Sequence, residues 1–327
     1  MKNLQAIIKS SISNTMLHLI ILPTEACNFR CVYCYETFKY NRMNAEVIEG
    51  IKNLISMRIP DLKYLHISWF GGEPLLTLSI IEDISGHILE LLEKNPKCQF
   101  RADMTTNAYC LGPSIFNKLC RFKVGLYQIT FDGPRELHNK KRILANGSGT
   151  FDQIWENLLN LKKTDKQVSF LIRLHLDKDN FPCIYAFLDE YRRDFSNDNR
   201  FKLFLRPLSK LGGQSDEALH TFNNERERKE AVEELKRYME RNGIQHKAAM
   251  DLPGICYASK LNSFVLRTNG NINKCTVALD REYNQVGSIY QDGTLEIEKE
   301  TLFRWCRGLQ SGNEKELLCP LENFCST

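Results

Sequence analysis

Residues 27–36 read CNFRCVYCYE, so that Cys27, Cys31 and Cys34 are separated by three and then two residues. Thiolates at this spacing can reach three corners of one iron-sulfur cube and leave one iron without a protein ligand. An open iron can bind a small molecule. A structural zinc site would supply a fourth Cys or His nearby, and none follows before His66. The segment therefore predicts an iron-sulfur cluster with one open corner, against the alternative of three buried thiols that are neighbours by chance.

Length and charge limit the remaining possibilities. The 327 residues can hold an α/β barrel, which needs roughly 250 residues, and a small appendix. Because 44 Lys and Arg are interspersed with 40 Asp and Glu, nucleic acid is not an expected partner. The apolar run 16–23 is shorter than the roughly 20 residues that span a bilayer, and no cleavable leader precedes it. We therefore expect a cytoplasmic protein with no membrane partner.

The cysteines form two groups. Of twelve, three lie at 27–34, four are scattered from 98 to 183, and five follow residue 255. In a reducing compartment cysteines more often ligate metal than form disulfides. Two ligand groups at opposite ends of the chain predict two clusters.

Apolar runs and amphipathic patterns alternate along residues 16–208 and predict six strand-helix pairs. The predicted strands are 16–24, 64–70, 99–104, 124–131, 168–176 and 201–206. The predicted helices are 44–57 with Asn44 as cap, 80–92, 114–120, 150–161 with a capping box from Thr150 to Gln153, 181–191 and 217–242. Six pairs predict an α/β fold with a partial (β/α)6 TIM-like barrel, followed by a small Cys-rich domain that contains a β-hairpin. The predicted divisions are an extension at 1–15, the barrel at 16–208, a linker and long helix at 209–252, and the Cys-rich domain at 253–327.

Polar turns follow three of these strands, at the end of a parallel sheet where ligands bind. They are Gly71-Gly72-Glu73-Pro74, Thr105-Thr106-Asn107 and Thr130-Phe131-Asp132-Gly133-Pro134. Two glycines let the backbone approach a ligand closely, and a carboxylate there can pair with an ammonium group. Each turn also has a purely structural interpretation, including His138 as a side chain packed on the Asp-Gly-Pro turn.

The cysteine spacing, with Tyr33 as the aromatic residue before the last cysteine, resembles the signature of the radical S-adenosylmethionine (radical SAM) enzymes. In that family the open iron binds the amino and carboxylate groups of SAM, and an electron from the cluster cleaves SAM to a 5′-deoxyadenosyl radical. The resemblance implies a 4Fe-4S cluster on Cys27, Cys31 and Cys34, with SAM as cofactor. It also implies SAM contacts from Tyr33, Gly71, Gly72, Glu73, Thr106, Asn107, Thr130 and Arg173. For Arg173, a salt-bridged barrel arginine is the alternative.

The C-terminal cysteines surround a predicted hairpin, 263–267 and 271–276, that turns at Asn269-Gly270. Two cysteines flanking a hairpin can converge on one metal. Cys256-x13-Gly270-x4-Cys275 resembles the opening of a SPASM domain, the auxiliary-cluster module of many peptide-modifying radical SAM enzymes. The later pattern departs from a full module, with Glu316 where a cysteine would fall. The resemblance implies one auxiliary 4Fe-4S cluster on Cys256, Cys275, Cys319 and Cys325, with zinc as the alternative and Cys306 as a buried thiol.

Together these parts resemble maturases of ribosomally made peptides, and imply hydrogen abstraction from a precursor peptide followed by a C–C, C–O or thioether crosslink. Expected partners are the precursor, a reductant such as flavodoxin or ferredoxin, and a separate leader-binding protein unless the barrel binds the precursor itself. The rival enzyme is an anaerobic sulfatase-maturating enzyme, in which an Asp follows the second hairpin cysteine. Here that residue is Thr276, and the nearest carboxylate is Asp280.

Two points stay open in the sequence. Asp132 and Arg206 are candidate catalytic residues because they lie at predicted strand ends, and either can equally be structural. A non-enzymatic metal-binding module is the alternative from another functional class, and it predicts no SAM cleavage.

Overall fold

The computed structural model describes residues 2–213, 216–247, 255–321 and 324. Its strands are β1 (Met16–Ile21), β2 (Tyr64–Trp69), β3 (Gln99–Thr105), β4 (Val124–Phe131), β5 (Ser169–Leu176), β6 (Phe201–Pro207), β7 (His246–Lys247), β8 (Ser263–Leu266), β9 (Asn271–Asn273), β10 (Gln285–Ile289) and β11 (Leu295–Ile297). Its helices are α1 (Lys2–Ser11), α2 (Ala45–Arg58), α3 (Leu78–Lys94), α4 (Pro113–Arg121), α5 (Arg135–Lys141), α6 (Phe151–Lys162), α7 (Ile184–Phe195), α8 (Glu225–Arg241), α9 (Lys299–Trp305), α10 (Arg307–Ser311) and α11 (Glu314–Leu318).

One compact unit comprises Met1–Ala26, Thr37–Ala102 and Pro253–Thr327. In it β1 pairs in parallel with β2 on one side and with β8 on the other. From β8 the sheet continues antiparallel through β9, β10 and β11. The β8–β9 hairpin turns at Gly270, whose φ is +88°, a conformation that glycine adopts without steric cost. The C-terminal hairpin therefore extends the sheet in which the first strand lies.

The core of this unit forms where the apolar positions of β1 meet the hairpin. Leu19 and Ile21 are fully buried. Ile20 packs with Leu22, Val265 and Leu279 in one buried cluster. Burial on both faces explains why β1 is apolar almost throughout instead of alternating.

The second compact unit comprises Cys27–Glu36 and Asp103–Leu252. Its strands β4, β5, β6 and β7 pair in parallel in that order. Stacked and edge-on aromatic rings fill its interior, among them Phe131, Phe151, Trp155 and Phe187. Aromatic pairs of this kind add to the free energy of burial. The strand β3 begins in the first unit and ends in the second.

These elements confirm the predicted fold class, a mixed α/β fold with parallel strands and an antiparallel C-terminal hairpin. The predicted cap of α2 is also present, since the Asn44 side chain accepts a hydrogen bond from the Val47 amide at 2.8 Å. The predicted domain boundaries divide the chain differently from the two compact units and stay a prediction. No helix in the described part of the chain combines the length and the apolar character needed to cross a membrane.

One helix start and one helix cap were wrongly predicted. The helix expected at 217–242 begins at Glu225, because the Asn224 side chain caps it by accepting from the Glu227 amide. The capping box at Thr150 is absent. The Thr150 hydroxyl donates to a carbonyl instead, and the Asn139 side chain accepts from the first amides of α6. The helix α1 was not foreseen.

Candidate functional site

The cysteine loop, residues 27–36, is fixed by backbone hydrogen bonds within the second unit. The Arg30 amide donates to the Ile143 carbonyl at 2.7 Å, and the Val32 amide donates to the Lys141 carbonyl at 2.9 Å. The loop therefore pairs, strand-like, with the segment that follows α5. These two bonds fix the backbone of the loop at Arg30 and Val32.

The three thiols of this loop are half-buried. The Phe29 amide lies 3.4 Å from Cys27 Sγ, and the Glu36 amide donates to the Cys34 sulfur. Burial raises the pKa of the free Cys34 thiol to about 12, so a thiolate there needs a metal to stabilise it. Three neighbouring cysteines, two of which accept hydrogen bonds from backbone amides, fit an iron-sulfur cluster, whose thiolate ligands accept such bonds.

Tyr33 belongs to a buried polar network. Its hydroxyl donates to the Asp132 carboxylate at 2.8 Å and accepts from Arg142 Nη1 at 2.9 Å. His175 Nδ1 lies 3.1 Å from the same carboxylate. Burial alone raises the pKa of Asp132, but the charge and hydrogen bond of His175, with the charge of Arg142, outweigh it and hold the value at about 2. So acidic a group is a poor base, and the contacts favour Asp132 as the residue that positions Tyr33.

Asn107 lies beside the first cysteine. Its Nδ2 donates to Asn28 Oδ1 at 2.8 Å and lies 3.9 Å from Cys27 Sγ. Its Oδ1 accepts from the Tyr109 amide at 3.0 Å, which closes the turn. Thr106 is buried, and its hydroxyl accepts from the Ala108 amide. The structure therefore realises the turn interpretation of this segment and also brings Asn107 to the cysteine loop.

Thr130 and Arg173 are opposite each other on β4 and β5. The buried Nε of Arg173 has no hydrogen-bond partner within the described chain, and burial lowers the pKa of this guanidinium to about 10. A buried cation without a partner is costly, so an anionic ligand fits here. The salt-bridge alternative for Arg173 has no partner among the residues described. Arg206 is exposed at the end of β6, opposite His175.

In the first unit, the Gly71-Gly72 turn lies directly against residues 24–26. The φ of Gly71 is +120°, and a Cβ on Gly72 would lie 2.3 Å from the Ala26 carbonyl oxygen. The Glu73 amide donates to that same oxygen at 2.9 Å. The Glu73 side chain is fully buried, and its Oε1 accepts from the Leu75 amide. Glycine is required here because the two backbones are in contact.

Three of the four predicted auxiliary ligands come together in the first unit. The thiols of Cys256, Cys275 and Cys319 lie within electrostatic range of one another. Backbone amides donate to the sulfurs of Cys256 and Cys275, and burial raises the pKa of Cys256 to about 11. The fourth, Cys325, lies outside the described residues. Cys306 is buried at the end of α9, as predicted.

No group of three or more His, Cys, Asp or Glu side chains that would hold a metal ion occurs in the described ranges. That search does not reach Cys325. An iron-sulfur cube differs from a single ion because each of its thiolates binds a different iron. The sulfur atoms that hold one cube are therefore farther apart than the ligands of one ion.

The loop that carries Cys275 is shaped by a residue that the sequence gave no reason to single out. Asn284 Oδ1 accepts from the amides of Lys274 at 3.0 Å and Cys275 at 2.8 Å. Its Nδ2 donates to the carbonyls of Cys275 and Ala278, both at 2.8 Å. Asn284 is fully buried. Four hydrogen bonds from one side chain fix this turn.

A buried ion pair connects the start of the chain to the hairpin domain. Arg267 donates to both carboxylate oxygens of Glu25, at 2.8 and 2.7 Å, and to Asp280 at 3.0 Å. Asp280 also accepts from the Thr37 hydroxyl at 2.6 Å. Sequence reasoning missed this network, because Glu25 and Arg267 are 242 positions apart.

A second network missed in the sequence joins β1, β2 and β8. The rings of His18 and His66 stack with centroids 4.1 Å apart. His18 Nε2 lies 2.9 Å from the Ser68 hydroxyl, and its Nδ1 lies 3.1 Å from the Ser263 hydroxyl. The available signal was the presence of two histidines within otherwise apolar strands.

Residues 21–188 match the Radical SAM superfamily, more than half of the 327 residues. This chain belongs to the radical SAM superfamily. Members of this superfamily are enzymes that use a 4Fe-4S cluster and SAM, and the matched range contains the cysteine loop, the Gly71-Gly72 turn and Arg173. The non-enzymatic alternative is therefore set aside.

Known relatives match parts of the chain. The radical SAM cyclopropyl synthase TigE of Paramaledivibacter caminithermalis is 24% identical over 166 residues, 46% of this chain and 34% of TigE. A cysteine-type anaerobic sulfatase-maturating enzyme of Clostridium novyi is 25% identical over 226 residues, 63% of this chain and 55% of that enzyme. The chain thus spans less than two thirds of the curated relatives it matches.

A solved structure shares the fold over nearly the whole chain. Streptococcus suis SuiB bound to its precursor peptide SuiA superposes with a TM-score of 0.62 at 17% identity, covering 98% of this chain and 74% of SuiB. At this level of identity the likeness establishes the fold. It includes the C-terminal part of the chain, beyond the range of the family match.

Substituting Gly72 with Ala is expected to disrupt the Gly71-Gly72 turn. The new Cβ would overlap the carbonyl oxygens of Ala26 at 2.3 Å and Glu25 at 2.5 Å, at a cost of about 1–3 kcal/mol. Gly86→Ala is the matched control, because Gly86 lies in α3 with no atom within 4 Å and alanine favours a helix by up to about 1 kcal/mol. Thermal unfolding and anaerobic calorimetric titration with SAM measure both effects. Wild-type stability and SAM affinity in Gly72→Ala would contradict the expectation.

His138 is expected to make stability dependent on pH. Burial lowers its pKa to about 3, so the folded chain keeps it neutral while the unfolded chain binds a proton below about pH 6.5. Stability from this group is thus present above about pH 6.5 and is lost, by up to about 1.4 kcal/mol per pH unit, as the pH falls. Urea unfolding of the metal-free chain at about pH 7 and pH 5.5 should show a smaller loss in His138→Gln than in wild type. His220→Gln, at an exposed site, is the control, and equal losses in all three proteins would refute the assignment.

Proposed function

We propose that this chain is a radical SAM peptide maturase that abstracts hydrogen from a residue of a ribosomally made precursor and forms an intrapeptide crosslink. The observation that carries the proposal is the second cysteine group. Cys256, Cys275 and Cys319 lie within electrostatic range of one another, and amides donate to two of their sulfurs. A radical SAM chain with a hairpin domain built around thiols has the parts of an enzyme that both generates and oxidises a substrate radical.

The cysteine loop is proposed to hold the SAM-binding cluster through Cys27, Cys31 and Cys34. When bound, the cluster and SAM supply a 5′-deoxyadenosyl radical for hydrogen abstraction. The chain's own contribution is to fix this site: Arg142 and Asp132 hold the Tyr33 ring in place.

SAM itself is proposed to be held by the polar residues at the ends of the parallel strands. Arg173, with its unpartnered buried Nε, suits the carboxylate of SAM, and Thr130 lies opposite it. Glu73 suits the amino group, since a carboxylate pairs with an ammonium. Thr106 and Asn107 are proposed to face the ribose and methionine parts, because Asn107 reaches the cysteine loop. Asp132 is proposed to have a structural role. Arg206 is exposed, and neither residue is proposed to transfer a proton.

The hairpin domain is proposed to hold one auxiliary 4Fe-4S cluster. Its ligands would be Cys256, Cys275, Cys319 and Cys325. Amides directed at the sulfur atoms of Cys256 and Cys275 suit an anionic cluster. Zinc on the same four thiolates is the alternative that metal analysis separates.

The proposed substrate is a ribosomally made peptide. TigE, a relative, is a radical SAM cyclopropyl synthase, and SuiB, of the same fold, binds the precursor peptide SuiA. These likenesses support a peptide partner, which either a separate leader-binding protein or the chain itself recognises. A flavodoxin or ferredoxin is the proposed reductant, and the cytoplasm the proposed location.

Sulfatase maturation is the second candidate, because the Clostridium novyi relative matches 63% of this chain. We rank sulfatase maturation below peptide crosslinking because of the surroundings of Thr276. This residue occupies the position at which sulfatase-maturating enzymes have an Asp. The Thr276 hydroxyl lies 2.8 Å from the Tyr257 hydroxyl. The nearest carboxylate, Asp280, is already bound by Arg267 and Thr37 and is poorly placed to act as a base.

Anaerobic incubation of the reconstituted enzyme with SAM, dithionite and a short peptide encoded beside its gene tests the proposal. We expect 5′-deoxyadenosine and a peptide lighter by two hydrogens. Cys31→Ala should abolish both products, whereas Cys183→Ala, at an exposed free thiol, should retain both. Modification of a sulfatase peptide alone would favour the second candidate, deuterium uptake without a mass loss would indicate epimerisation, and absence of 5′-deoxyadenosine would overturn the proposal.

Iron content tests the auxiliary centre separately. Two 4Fe-4S clusters predict about eight iron atoms per chain, and Cys275→Ala should lower this to about four while SAM cleavage persists. Cys306→Ala is the control, because this buried thiol is not a proposed ligand. About four iron atoms in wild type, with or without zinc, would remove the auxiliary cluster from the proposal.

A further inference from the structure

Lys274, the residue before Cys275, is a fully buried lysine. Its Nζ donates to the Lys260 carbonyl at 2.5 Å and the Ser263 carbonyl at 2.6 Å. The same ammonium lies 5.1 Å from the centre of the Phe264 ring. These contacts fix the position of the ammonium group within the hairpin domain.

Within the described chain, no carboxylate pairs with this ammonium. Backbone carbonyls accept its hydrogen bonds, and the aromatic ring stabilises part of its positive charge. Desolvation of a buried cation nevertheless costs several kcal/mol unless an anion is near. The other deeply buried cation of the first unit, Arg267, has two carboxylate partners. Lys274 therefore lacks a counter-charge that its surroundings would be expected to supply.

The groups within range of Lys274 that could carry a negative charge are thiols. Its ammonium lies in the electrostatic field of Cys306 and Cys256, and its own amide is held together with that of Cys275 by Asn284. A 4Fe-4S core held by four thiolates is a net anion in both of its usual oxidation states. Loading of the auxiliary site would thus provide the missing counter-charge in a medium where charges interact strongly.

We propose that Lys274 is the internal counter-cation of the auxiliary cluster and raises its reduction potential. This rests on the auxiliary centre of the proposed function. One-electron reduction adds a negative charge to the cluster, and a fixed buried cation stabilises the reduced form more than the oxidised one. Lys274 acts through the cluster and is a positioning residue for its charge, so that the potential at which the cluster accepts an electron depends on this side chain.

Redox titration of the full reconstituted enzyme, followed by electron paramagnetic resonance, tests the inference. The auxiliary signal is the one that SAM does not change. The neutral variants Lys274→Met and Lys274→Gln should lower the ratio of reduced to oxidised auxiliary cluster at least tenfold at a fixed potential, a shift of about 59 mV for one electron. Lys274→Arg, which keeps the charge, should stay within about threefold of wild type. Lys299→Met, at an exposed lysine of α9, should change nothing.

An unchanged ratio in the two neutral variants would overturn the inference. If neither neutral variant assembles the auxiliary cluster, Lys274→Arg decides between two explanations. A cluster in Lys274→Arg supports the inference, because assembly then requires the positive charge. No cluster in Lys274→Arg refutes it, because assembly then requires only the shape of the lysine side chain. A wild-type enzyme that holds about four iron atoms and one cluster signal would instead refute the auxiliary centre itself. Iron content and the titration therefore separate the failure of the proposed function from the failure of this inference.

Discussion

Backbone amides directed at cysteine sulfurs are the interaction on which both cysteine groups depend. For Cys27, Cys34, Cys256 and Cys275 a donating amide lies two residues further along the chain. After Cys27, Cys34 and Cys275 the chain is in neither a helix nor a named strand, whereas Cys256 is the N-cap of the short 3-10 helix Tyr257–Ser259. The arrangement makes each sulfur a better thiolate ligand before any metal binds.

Buried cations reinforce this arrangement in each unit, with different partners. Arg142 lies in the electrostatic field of Cys31 and also binds the Tyr33 hydroxyl, so its charge is shared between the thiol and a polar network. Among the described residues, the ammonium group of Lys274 bonds to two backbone carbonyls, lies near one aromatic ring and pairs with no carboxylate. The first cation therefore tolerates an empty site better than the second, because Asp132 neutralises part of its charge. This difference in partners, rather than in burial, is why Lys274 supports an anion at the proposed auxiliary site.

Features that depend on neighbouring residues were readable from the sequence. Local sequence patterns were enough to identify three features: the spacing of Cys27, Cys31 and Cys34, the apolar run of β1, and the cap at Asn44. The fold class follows from the repeated alternation of apolar runs and amphipathic patterns. The features that were missed depend on contacts made after folding. Asn139 replaces the expected cap of α6 from eleven residues away, and Arg267 pairs with Glu25 across 242 positions. No local pattern distinguishes such side chains from solvated ones.

The residue after the second hairpin cysteine shows how local packing narrows the chemistry. Thr276 is tied to Tyr257 through both its amide and its hydroxyl, and burial with the nearby Cys275 thiol raises the pKa of Tyr257. Neither group therefore ionises near neutral pH, and the carboxylate of Asp280 is held by Arg267. A proton acceptor beside the auxiliary site would have to displace one of these contacts. The polar groups beside Cys275 are thus hydrogen-bonded, and none of them is a free carboxylate. These surroundings suit an electron acceptor better than a base, and for this physical reason we rank peptide crosslinking above sulfatase maturation.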